Sequence, residues 1–127
     1  MIEGLFNQPN YVAAKKLLDV SEMRHEAISS NLANIETPHY KRLDVAPNFA
    51  AQLSQIVQSR DPQSISELKP ELAIDTSAIS SRKDGNTVQL ESELMRLNQN
   101  YLENQLETQL VSGSMLRLRL AITGRGS

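Results

Sequence analysis

The chain holds few residues able to do chemistry. Glu22 and His25 stand three positions apart, a spacing by which one helix face offers a carboxylate and an imidazole to a di-metal centre. Such centres need a second pair and further glutamates from other helices. No second pair exists, because the other histidine, His39, directly follows Pro38. His25 therefore reads as a surface or interface residue. Ser112-Gly113-Ser114 does not match the Gly-x-Ser-x-Gly nucleophile elbow, and Gly4, Gly85, Gly113, Gly124 and Gly126 are too scattered for a phosphate loop. Without cysteine there is no thiolate nucleophile, disulfide or thiolate zinc site. The expectation is a non-enzyme without cofactor or metal.

The elements that would carry these residues are helical. After Asn10, a plausible N-cap, Val12, Ala13, Leu17, Val20, Met23, Ala27 and Ile28 recur at steps of three and four, which predicts a helix over about residues 10–34. Thr37-Pro38 ends it, since the residue before proline is pushed out of the helical region. From Lys41 to Asn86 the prolines, serines and glutamines break any sustained period, so this middle segment reads as largely irregular, with a short helix between Phe49 and Ser59. Asp84-Gly85-Asn86 is a turn signal. Beyond it Leu90, Leu94, Leu97, Tyr101, Val111, Met115, Leu118 and Ile122 fall on one heptad ladder, interrupted at Asn104 and Thr108. A second stripe, Met95, Leu102, Leu106, Leu110 and Leu120, runs beside it, so this helix is apolar toward more than one neighbour.

Size and composition sharpen the picture. A helix from Val88 to Ile122 is roughly 50 Å long, whereas a compact chain of 127 residues is about 36 Å across. The expected fold is all-α, with elongated N- and C-terminal helices paired as a coiled coil. Residues 1–40, 41–86 and 87–127 would form one structural unit. Hydrophobic residues make up 39% of the chain and only five residues are aromatic, which argues against a generous self-contained core. A net charge of -2 argues against nucleic acid as a partner. No stretch approaches the roughly 18–20 apolar residues of a membrane span, and the first residues lack the pattern of a cleavable signal peptide. Along the last helix, Glu91 to Glu107 carries four glutamates and one arginine, whereas Arg117, Arg119 and Arg125 follow without an acid. Complementarity to the helix dipole explains this, and so does contact between one subunit's basic end and another's acidic part.

The segment from Ser30 to Lys41 asks for more. Asn31 and Asn34 near a helix end can bond neighbouring backbone, Thr37-Pro38 fixes the exit direction, and Tyr40 supplies an amphipathic anchor. A well-made helix stop would account for all of this. The segment also resembles the Asn-x-Ala-Asn-x-x-Thr-Pro-Gly-Tyr signature of bacterial flagellar axial proteins, the rod, hook and hook-associated subunits. Asn31, Ala33, Asn34, Thr37, Pro38 and Tyr40 match it. His39 replaces the usual Gly, which implies a turn that avoids the positive φ Gly permits. The leading helix, Phe49-Ala50-Ala51-Gln52-Leu53, the Asp84-Gly85-Asn86 turn and the short length are similar to a subunit of the proximal rod.

That resemblance implies a structural subunit of the basal-body rod in the periplasm, which transmits motor torque and encloses an export channel. Its partners would be other rod subunits, the basal-body base, copies of itself and the flagellar export apparatus, which exports such chains without a cleaved signal. A helical adaptor or export chaperone is the competing reading. On the rod reading, Ala13, Leu17, Val20 and Ala27 are expected to meet Leu90, Leu94, Leu97 and Tyr101 within the chain. Leu102, Leu106, Leu110, Met115, Leu118 and Ile122 are expected to meet neighbouring chains, and Asn31, Asn34, Thr37 and Tyr40 to fix a loop that seats one subunit on another.

Overall fold

The computed structural model describes residues 9–123, and the side chains of residues 11–113. In order the elements are α1 (Pro9–Ala33), β1 (Leu43–Val45), α2 (Asn48–Gln58), α3 (Pro62–Glu67), β2 (Leu72–Ile74) and α4 (Leu90–Thr123). The fold is mostly helical with long helices near both ends, as the periodicity requires.

The middle segment is more ordered than its composition suggests. In α2, Phe49, Leu53, Ile56 and Val57 share one face, and that face closes on α1. Helix α3 starts where Asp61 accepts the Gln63 N–H at 3.2 Å, with Pro62 in the first turn, where a missing N–H costs nothing. Strands β1 and β2 pair antiparallel, Leu43 with Ile74, Asp44 with Ala73 and Val45 with Leu72. This ribbon corrects the all-α expectation. Runs of three residues are too short to show a period, so only the pairing of segments distant in sequence reveals them.

The apolar core lies between α1 and this middle segment, where Val20, Val45, Phe49, Leu53 and Ile65 are buried together. Val12, Ala13, Met23 and Leu72 pack around them. Val20 thus serves the middle segment. On a different face of α1 runs α4, antiparallel: Asn31 meets Glu93, Arg24 meets Glu103, and Ser21 meets Asn100 and Asn104.

The contact between the long helices differs from the heptad expectation. Ala27 is buried and Leu97 partly so, but Leu17, Leu90, Leu94 and Tyr101 are exposed. The turn of α4 toward α1 presents polar groups instead. Asn100 Nδ2 donates to the Ser21 carbonyl at 2.8 Å and Asn104 Nδ2 to Ser21 Oγ at 2.9 Å. The reason is geometric. Glu93, Asn100, Asn104 and Glu107 recur at steps of seven, four and three and so share one face, about a quarter-turn from the leucine ladder. Hydrogen bonds, unlike apolar contacts, hold that face in one register.

Candidate functional site

The matched motif lies at the end of α1 and ties three distant parts of the chain together. Asn31, fully buried, uses its whole side-chain amide. Its Oδ1 accepts from Leu43 N–H at 2.8 Å and from the Tyr40 hydroxyl at 3.1 Å. Its Nδ2 donates to the Leu43 carbonyl at 2.9 Å and to Glu93 Oε2 at 3.3 Å. One amide thus mimics a strand partner for β1 and also reaches α4. A side-chain amide offers a donor and an acceptor to the same residue without ionising.

Asn34, three residues on, turns back on its own helix. Its Nδ2 donates to the Ser30 carbonyl at 2.9 Å and its Oδ1 accepts from Thr37 Oγ1 at 3.1 Å. The Tyr40 hydroxyl lies 3.1 Å from Ser30 Oγ, so the loop folds over the helix end. Ala33, Thr37 and Pro38 remain exposed, and Asn34 and Tyr40 are partly so.

Composition gives no hint of the residue that completes the helix stop. Asn86 Nδ2 takes the carbonyls of Asn34, Ile35 and Thr37 at 2.9, 3.2 and 2.8 Å, satisfying acceptors that the end of a helix leaves free. Arg82 Nη1 also donates to the Ile35 carbonyl. The turn signal at Asp84-Gly85-Asn86 was legible, but its pairing with the motif was not. Backbone bonds bind the two loops together, His39 N–H to the Asp84 carbonyl at 2.8 Å and Thr87 N–H to the Tyr40 carbonyl at 3.0 Å.

His39 corrects one expectation. Its φ is 61°, so the chain adopts the left-handed conformation after all, without the glycine that usually permits it. Histidine tolerates that region better than bulky or β-branched residues. The facing loop makes room: a Cβ on Gly85, whose own φ is +78°, would stand 2.8 Å from His39 Nδ1. The glycine required here is displaced across the contact.

Beneath the knot lies an ion cluster. Arg42 is almost wholly buried; its Nε donates to Glu93 Oε1 at 2.6 Å, and its Nη1 to Asp75 and, at 3.3 Å, to Asp44. Burial opposes the guanidinium charge, but Glu93, Asp75 and Asp44 outweigh it and hold the arginine pKa above its ordinary value. The Asp75 carboxyl is held below its usual range, first by Ser77 and then by Arg42, against the opposing effect of burial. The cluster joins the loop after the motif, β1, the end of β2 and the first turns of α4. Nothing in sequence spacing assigns these four residues to one another.

The remaining expectations concern contacts outside the chain. Leu102, Leu106 and Leu110 are exposed, with Leu102 61% accessible. Met115, Leu118 and Ile122 lie outside the described side chains. Among the described residues no group of three histidine or acidic side chains could hold a metal ion, and no helix is long and apolar enough to cross a membrane. Glu22 and His25 line an open groove with Leu94, Leu97 and Tyr101.

No family model matches the chain. Curated relatives do. It is 30% identical to the flagellar basal body rod protein FlgB of Cereibacter sphaeroides, over 84% of this chain and 88% of that protein. Proteins of the same name from Borrelia hermsii and Escherichia coli K12 are 29% and 28% identical, over 76% and 80% of this chain and 83% of each relative.

Proposed function

The chain belongs to the family of the flagellar basal body rod protein FlgB, and from that premise we propose that it is a structural subunit of the proximal rod. It assembles helically with other rod proteins, the basal-body base and copies of itself, encloses the export channel and transmits motor torque. It works in the periplasm after delivery by the flagellar export apparatus, and has no catalytic role.

One observation carries the reading: α4 is inside out for a free protein. Toward α1 it presents Glu93, Asn100, Asn104 and Glu107, while Leu94, Met95, Tyr101, Leu102, Leu106 and Leu110 face outward. Exposed apolar area of this extent on one element marks an interaction surface. A helical tube in which each subunit offers one patch to a different patch of the next would bury it. The polar side would meanwhile keep the two long helices in fixed register, which a torque-bearing part needs.

In this reading the motif has a mechanical task. Asn31, Asn34, Thr37 and Tyr40 hold the loop after α1 rigidly against Asn86 and β1. The exposed residues Thr37 and Pro38 at its tip are then presented in one geometry to the next subunit. The described part of the chain acts as one unit, because the ion cluster locks the middle segment to α4 and Asn31 ties both to α1.

The test replaces Leu102 and Leu106 with Asp in the chromosomal copy, with Leu118→Asp as a third variant. Expected are loss of swimming and of the protein from purified basal bodies, an unchanged circular dichroism spectrum, and undiminished export into the medium. Normal swimming with all three variants would overturn the proposal.

A further inference from the structure

A groove of about 750 Å³ runs between α1, α2 and α4. Leu17, Phe49, Leu53 and Val57 form its apolar walls. Glu103 and Glu107 line it from α4 and Arg24 from α1. Arg24 already pairs with Glu103 at 3.4 Å. Glu107 has no such cation: its Oε2 is buried without a hydrogen-bond partner among the described residues. The groove thus combines an apolar floor with a carboxylate oxygen that lacks a donor, and its occupant should bring apolar residues flanked by one cation.

We propose that this groove receives the C-terminal end of α4 from a second copy of the chain, with Arg119 of that copy meeting Glu107. Met115, Leu118 and Ile122 fall at i, i+3 and i+7, one face of a helix, and Arg119 sits between them at i+4 from Met115. The stretch from Ser112 onward carries arginines and no acid, complementary to Glu103 and Glu107. The pair cannot close within one chain: twelve residues of α4 separate Glu107 from Arg119, about 18 Å of helix.

Desolvation, partly offset by a bond to Ser21, holds the Glu107 carboxyl above its ordinary range in the single chain, with Glu103 adding to the shift and Arg24 opposing it. An incoming guanidinium would remove that disadvantage, since a charge-assisted bond compensates a desolvated carboxylate.

This proposal rests on the rod-subunit reading and names a partner for it. The test is a charge exchange in the full chain, read as swimming and as the amount of protein in purified basal bodies. Glu107→Lys and Arg119→Glu should each lower incorporation at least tenfold, and the two together should restore it to within about twofold of the native chain, the recovery expected when a charge-assisted bond is re-formed in reverse. A double variant no better than either single one, or single variants that assemble normally, would overturn it. Because the chain has no cysteine, Leu17→Cys combined with Leu118→Cys gives an independent readout in a fold without charge reversal. Oxidised basal bodies should yield disulfide-linked multimers of this chain, and persistence of the monomer alone counts against the groove. If the native chain itself were missing from basal bodies, the rod reading and not this contact would have failed.

Discussion

The two faces of α4 are built by opposite rules. Its first turns, against α1 and β1, bury Glu93 among Arg42, Asn31 and Arg96, and each oxygen of its carboxylate has a specific partner. Its outward face carries exposed leucines, with Leu94, Leu102 and Leu106 at accessibilities of 48–61%. Hydrogen bonds are directional and costly to leave unmade, whereas apolar burial is directionless and scales with area. The inner face therefore determines the shape of the single subunit, and the outer face supplies adhesion only when something covers it. Substitutions should sort accordingly: inner-face changes act on the free chain, and outer-face changes act on assembly.

Glu93→Ala should have the largest effect on the free chain. It leaves Arg42 buried beside two more exposed carboxylates, and breaking one side of a buried pair costs about 3–5 kcal/mol. A fall in urea midpoint with an unchanged slope would show it; a midpoint within error of the native chain would mean that the cluster does not hold the inner face. Asn31→Ala follows at about 2–3 kcal/mol, because both backbone groups of Leu43 lose their partner. Amide exchange at Leu43 should speed up in step, which a general loss of packing would not single out.

Gly85→Ala is expected to cost about 1–2 kcal/mol, from its left-handed φ and the approach to His39. In the background of His39→Gly the same substitution should cost less, so a thermal double-mutant cycle that proves additive would refute the contact. Acid provides a smaller test. The Asp75 carboxyl is depressed from about 3.8, so its contribution is complete above that value and disappears as pH falls toward the lower, folded one. Melting temperature should therefore drop below about pH 4, and Asp75→Asn should flatten that part of the profile. Leu106→Ser should change free-chain stability by less than about 0.5 kcal/mol, as exposed substitutions do. A large loss in the isolated subunit would erase the distinction between the faces.

Much of this was visible in the linear chain. The periods of three and four located α1 and α4, with their inner ends within a residue or two, Phe49 to Ser59 gave α2, and the Asn-rich segment marked the helix stop. The ribbon was hidden because Leu43 to Val45 and Leu72 to Ile74 are each too short to display alternation. The ladder of Leu90, Leu94, Leu97 and Tyr101 was real as a pattern, but a pattern does not say which neighbour covers it. The glycine that His39 lacks could be found only by seeing Gly85 opposite it.

Helix positions, helix ends and the surplus of apolar surface follow from the sequence, because propensity, proline and periodicity act over a few residues. The partners were decided in three dimensions. Asn31 with Leu43 and Glu93, Asn86 with the end of α1, and Arg42 with Glu93 and Asp75 join residues 12 to 62 positions apart. A buried amide or guanidinium takes whichever complementary group the folded chain brings within about 3 Å, and local sequence carries no record of which one that will be.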